Sequence, residues 1–450
     1  MVEGSIIKHI ILFSIPLMFG NIFQMLYNTV DSIVVGKYVG TQALAAVGST
    51  TMIVNMLVFF FNGFSIGAGV IISRYFGAKN LKRLHDSIET TMAMTFILCI
   101  VFTIIGSLGV VPMLHFMDTP EDVMADATTY LRIYFMGFSG LLIYNMGSGI
   151  LRAVGDTKRP LMFLVLTSVV NIILDLFFVI VLKAGIAGVA YATIISQMIS
   201  AVLIILLLVR TNEIYKFVWK DIRIDGDILR SIIVIGLPTG IQSVITAFSN
   251  VFVQSYINHF GSGCMAGWSC YNKLDSFIML PMSSMAMAAT TFVSQNVGAR
   301  KFDRVNKGTR IVILMSMFIT FVIAVALYIW AEPAIHLFSS DKEVIKYGAL
   351  FIHTNVFFLI LNCVNHTLAS SLRGRGDSKA PMFIMIGNFV VVRQIYLFIL
   401  TNYISNTPKW VGFGYPVGWA CCCIVEVTYY LIRWGNKEKT EKKLMAEGIS

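Results

Sequence analysis

Residues 90–111 read TTMAMTFILCIVFTIIGSLGVV, 22 positions without a charged side chain. About 20 apolar residues carry an α-helix across the hydrocarbon core of a bilayer. In lipid, backbone polar groups must be satisfied within the protein, so a spanning element is a helix or part of a closed barrel. Barrel strands would alternate apolar and polar positions over ~10 residues. Neither this run nor 160–182 alternates, so both read as transmembrane helices. The same reading extends along the chain: 57% of its 450 residues are apolar or aromatic and 13% are charged. The mean hydropathy is +0.77, too high for a soluble domain on a single anchor.

Working outward, apolar runs between charged breaks give an all-α integral membrane protein of twelve expected spans. They fall at 9–36, 45–75, 88–111, 127–151, 160–182, 187–209, 231–258, 265–296, 309–331, 345–371, 381–402 and 411–432. Basic residues gather at alternate ends: Lys79, Lys82, Arg83, Arg152, Lys158, Arg159, Arg210, Arg300, Arg373 and a tail from Arg433 to Lys443 on one side. Lys37, Lys183, Lys342 and Lys409 fall on the other. The positive-inside bias then places both termini and the hydrophilic linker in the cytoplasm. The net charge of +10 follows this topology and does not point to nucleic acid. All seven cysteines lie in or near apolar runs without zinc spacing and read as packing residues. The first apolar stretch runs past a signal peptide's length, so it is expected to stay as the first span.

The chain also repeats itself. Leu151–Pro160 (LRAVGDTKRP) aligns with Leu372–Pro381 (LRGRGDSKAP) at an offset of 221, with six identities in ten. Ser73–Lys79 aligns with Ser294–Arg300 at the same offset. Six spans per repeat give halves of one orientation, the plan of transporters whose path lies between repeats. The expected organisation is a lobe at 1–210, a linker at 211–230 and a second lobe at 231–450 with the basic tail. Pro16 and Pro238 begin the first span of each half, where each bends its helix; Pro16 is the candidate hinge.

Acids inside the spans carry the functional reading, because a mid-bilayer carboxylate costs ~2.5–3.5 kcal/mol on insertion scales. Asp31 lies six residues before Lys37, or ~9 Å along a helix, and Asp175 eight before Lys183, or ~12 Å. Asn171 shares a helix face with Asp175, and Thr193 falls at similar depth. Hard oxygens at one level suit a small cation, or a proton shared between the two carboxylates. At the offset of 221, Asp31 meets Phe252, Asn171 meets Val392 and Asp175 meets Tyr396, so the second half lacks the acids. It has its own membrane charges in Lys273, Asp275, Arg393 and Glu426, and methionines including Met282 around Pro281. Tyr27, Asn145, Lys273, Asp275, Met282 and Arg393 are candidates for a substrate cavity.

The stretch Asn21–Gly36 (NIFQMLYNTVDSIVVG), with Gly77–Lys79, Leu151–Pro160 and Asn171–Asp175, resembles the multidrug and toxic compound extrusion family over essentially the whole chain. The acid pair is similar to that of its DinF-like bacterial branch. The resemblance implies two six-helix lobes around a V-shaped cavity, exporting organic, often cationic, compounds in exchange for Na+ or H+. It assigns Asp31, Asn171, Asp175 and Thr193 to the cation-binding network, Tyr27 and Asn145 more loosely, and Pro16 to a bending first helix. The acids that the NorM-like branch carries in its second lobe are not evident here.

The leading expectation is therefore an antiporter of the plasma or inner membrane, working as a monomer without cofactor beyond the coupling ion. Its partners would be an organic substrate and the bilayer. The alternative is a lipid-linked saccharide flippase, which would need a strongly cationic cavity where only Lys273 and Arg393 stand well inside spans. An enzyme, receptor or ATP-driven pump has less support, since no phosphate-binding loop or zinc motif is present.

Overall fold

The computed structural model describes residues 1–434; the expected basic tail at Lys437–Lys443 lies outside the described residues. The first half runs through α1 (Ile6–Val34), α2 (Thr41–Gly77), α3 (Leu81–Phe116), α4 (Glu121–Val154), α5 (Lys158–Leu176) and α6 (Gly185–Arg210). The second runs through α7 (Gly226–Asn258), α8 (Ser262–Gly298), α9 (Phe302–Ile329), α10 (Ala331–His336), α11 (Lys342–Asn355) and α12 (Leu359–Gly374). It ends in α13 (Lys379–Ile386), α14 (Arg393–Ile399), α15 (Pro408–Gly412) and α16 (Gly414–Trp434). Eleven helical stretches are long and apolar enough to cross a membrane. α4, which holds the expected span 127–151, is not among them, because Ser139, Tyr144, Asn145, Ser148 and several glycines dilute its apolar run. It lies against α2, α3 and α6, and an enclosed helix needs less apolar surface than one facing lipid.

Two compact units form. One is Ile15–Gly240; the other joins Met1–Ser14 to the described residues from Ile241 onward. The boundaries fall next to Pro16 in α1 and Pro238 in α7. In the Ile15–Gly240 unit, Phe61 packs edge-on against Phe102, with centroids 4.5 Å apart. Gly63 and Gly67 of α2 meet Gly236 and Gly240 of α7 so closely that a Cβ at either α2 position would strike α7 backbone. The linker docks on α3: Glu89 Oε1 accepts from Val218 N–H at 2.9 Å, and Arg83 pairs with Asp225 at 2.9 Å. Arg223 also pairs with Asp86, and Trp219 stacks on Phe96. In the other unit α8 packs on α11, α12 and α9, with Trp268 edge-on to Phe351 at 4.8 Å.

The repeat is written into the backbone. Gly155 and Gly376, 221 apart, both take positive φ (98° and 94°), and so do Lys79 (55°) and Arg300 (56°). The offset is not constant within the spans, however. A π-helical turn adds one residue to a helix, and such turns stand at Val35–Val39 in the first half and Gly387–Val392 in the second. Before the first of these turns, and after the second, the offset becomes 222. Asp31 therefore corresponds to Val253, Asn171 to Arg393 and Asp175 to Leu397. The alignment to Phe252, Val392 and Tyr396 is corrected by one position, and the second half still lacks both acids.

Candidate functional site

The Ile15–Gly240 unit brings α1, α4, α5 and α6 together around the two acids. Asp175 is fully buried and Asn171, one turn earlier on α5, is 2% exposed. The Asp31 and Asp175 carboxyl groups lie within hydrogen-bond reach of each other. Ionised carboxylates only accept, so this contact needs a proton or a cation between them. Neither Asp175 oxygen finds a protein donor, nor does Asp31 Oδ1, and both polar atoms of Asn171 are likewise unpartnered among the described residues. Leaving such groups unmatched costs about 1–3 kcal/mol each. The donor set is oxygen throughout. It contains two acids, and among the described residues no three His, Cys, Asp or Glu side chains gather as a metal site. That fits a proton or a small monovalent cation, with oxygens supplied by Asp31, Asp175 and Asn171.

A cavity of about 60 Å³ is lined by Gln24, Tyr27, Asn145, Asn171, Thr193 and Gln197 among others. A water's share of liquid volume is about 30 Å³, so there is room for roughly two. Of the expected residues, Tyr27, Asn171 and Thr193 line this cavity, and Asp175 lies one turn beyond Asn171 on α5. Asn145 joins them although its position in the sequence suggests a more cytoplasmic level. The Thr193 hydroxyl is committed to the Val189 carbonyl at 3.0 Å and keeps its lone pairs for a ligand.

Four site residues escaped the sequence reading. Gln24 stands near Tyr27, and Gln197 stands near Tyr134. Tyr130 stands near both acids, one turn from Tyr134. The signal was present as helical spacing: Gln24, Tyr27 and Asp31 follow i, i+3, i+7, and Thr193 and Gln197 follow i, i+4. A larger recess of about 670 Å³ beside the linker holds other acids, but Asp86 and Glu89 there already have Arg223 and the Val218 N–H.

The second-half candidates divide. Lys273 is exposed, with its ammonium 5.6 Å from the Phe338 ring centroid. Met282 is 2% exposed in the apolar core. Arg393 lies over the Tyr415 ring, and Asp275 has a buried, unpartnered Oδ1. Pro16 lies inside α1, and Glu426 is fully buried near Arg373.

The MatE family model matches this chain twice, at residues 16–177 and 238–399. The chain is 28% identical over 446 residues to "Probable multidrug resistance protein YoeA" of Bacillus subtilis, covering 97% of this chain and 96% of that one. It is 24% identical over 363 residues to the "FAD transporter" of Shewanella oneidensis, covering 78% and 77%. A solved "outward-facing conformation of a multidrug resistance MATE family transporter" superposes with a TM-score of 0.91 at 24% identity, covering 98% of each chain. This last likeness shows the fold.

Proposed function

This chain belongs to the MatE family, and on that premise we propose that it is a multidrug efflux transporter of the plasma membrane, driven by an inward gradient of Na+ or H+. The observation that carries the coupling is the acid pair, two carboxyl groups within reach of each other in a helical membrane unit with no protein donor between them. A cation binds there from outside; substrate binding from the cytoplasm favours its release. The two ligands must therefore prefer opposite states of the protein. In this reading α4 is the twelfth span, and the spans form two six-helix lobes at 1–210 and 231–450. Both termini and the linker face the cytoplasm, supported by the basic residues at alternate span ends. The chain acts as a monomer on drug-like organic compounds, many of them cations.

Binding to the folded state alone raises stability with ligand concentration. Purified protein titrated with NaCl at fixed ionic strength, and separately with pH, should gain melting temperature with one of the two. Asp31→Asn and Asp175→Asn should both lose that gain. A gain retained in both variants would remove the acid pair from the coupling site. The flippase alternative draws support only from Arg393, since Lys273 is exposed.

A further inference from the structure

The repeat and its π turns expose an exchange of charge between the halves. Where the first half has Asp31 and Asp175, the second has Val253 and Leu397, and where it has Asn171, the second has Arg393. Asp275 is also particular to the second half, facing Val54 at the offset of 221. The second half thus lacks both acids and carries Arg393 and Asp275, besides Lys273 and Glu426, where the first half has no charge.

Arg393 is 2% exposed. Its Nη2 donates to Ser249 Oγ at 2.8 Å and Asn250 Oδ1 at 2.9 Å, both neutral acceptors on α7. Its Nε has no partner, and among the described residues no carboxylate lies within ion-pair distance. The guanidinium lies over the Tyr415 ring, 4.6 Å from its centroid. Asp275, whose Oδ1 is buried and unpartnered, lies on α8 one turn beyond Tyr271 and two beyond Trp268. Trp268 closes the group, 5.1 Å from Tyr271 and 5.6 Å from Tyr415 between centroids. Two opposite charges are therefore held apart across aromatic rings. A buried charge held this way is costly and usually marks a site.

We propose that the second unit binds a zwitterionic organic group, its anionic end on Arg393, its cationic end at Asp275 and its apolar body against Tyr415 and Trp268. The guanidinium fork suits a carboxylate or phosphate, and rings beside a carboxylate suit an ammonium. The proposal rests on the export reading only in taking its occupant to be a transported molecule.

Three probes that share one ring separate the charges: 4-(aminomethyl)benzoate carries both, benzoate the negative and benzylamine the positive. Calorimetric titration of the full chain in detergent should find the zwitterion at least tenfold tighter than either other probe. Arg393→Gln and Asp275→Asn should each erase that preference, whereas Arg393→Lys, which keeps the charge, should retain part of it. If Arg393→Gln does not fold, Asp275→Asn and Arg393→Lys still decide the matter. Equal affinity for the three probes, affinity unchanged in the variants, or no binding of the zwitterion at about 10 mM would overturn the proposal. Ion-driven flux insensitive to Asp31→Asn would instead sink the acid-pair reading and leave this binding pattern untouched.

Discussion

Asp175 has no exposed surface and no protein donor, whereas most buried side chains in the same unit are matched, as Ser200 is by Thr167 at 2.7 Å. An unmatched carboxylate costs more than an unmatched hydroxyl such as Ser107 or Ser148 of the same unit, which is why the acid pair carries the proposed coupling site. Tyr134 of α4 stands near Gln197 of α6, which lines the small cavity. Groups that orient ligating residues typically matter 10–100-fold, so Tyr134→Phe should weaken coupling-ion affinity about tenfold while the protein stays folded, read from the ion titration of melting temperature. Structural charges behave differently. Arg375 is fully buried, bonded to Asn306 Oδ1 and the Tyr430 hydroxyl at 2.9 Å each. Asn306→Ala should cost about 1–3 kcal/mol in denaturant unfolding, with no change in ion dependence. Asp31, Asn171 and Asp175 stand out in the sequence because charge and amide are rare in apolar runs, and Thr193 only by its depth. Tyr130 and Tyr134 do not, because a tyrosine in a span is ordinary until its neighbours are known.

Among elements, α2 and α7 approach backbone to backbone. Gly63 and Gly67 allow the backbones to meet as small residues do in membrane helix pairs. Gly63→Val should cost about 1–3 kcal/mol or more by overpacking, measured as a lower melting temperature in detergent. The linker is the second case. Its charges were read as a hydrophilic connection, and it proves to be fastened to α3 by backbone donors that the sequence does not announce. The Ile228 N–H, with help from Arg83, holds the Asp225 carboxyl below its usual value. A lowered acid contributes stability above the ordinary aspartate pKa of about 3.9, and that stability is lost as pH falls through the lowered value. Hydrogen exchange of residues 211–225 should stay slow from neutral pH down to about 4 and accelerate below it. Acceleration already at pH 6 would place the fastening elsewhere. The π turns were also hidden, since one added residue leaves composition and hydropathy unchanged.

At the scale of the whole molecule, hydropathy and self-similarity carried the all-helical membrane architecture and the duplication, because lipid limits what a spanning backbone can be. They could not carry α4, whose enclosure by neighbours relaxes the demand for apolar surface. Nor could they set the division of the chain into units at Ile15 and Ile241, inside helices rather than in the linker. The two halves share backbone conformation at Gly155 and Gly376 but differ in charge, one holding an acid pair and the other a separated base and acid. Duplication explains the scaffold, and the proposed coupling site draws on the difference between the halves.

The measurement that tests this most directly is flux in liposomes. Purified protein would be reconstituted with a fluorescent organic cation and given an imposed Na+ gradient, then a pH gradient. One gradient should drive movement of the dye in the wild type, and Asp31→Asn and Asp175→Asn should each reduce the driven rate at least tenfold while melting as folded proteins. Driven flux in both variants at the wild-type rate would contradict the acid pair as the coupling site.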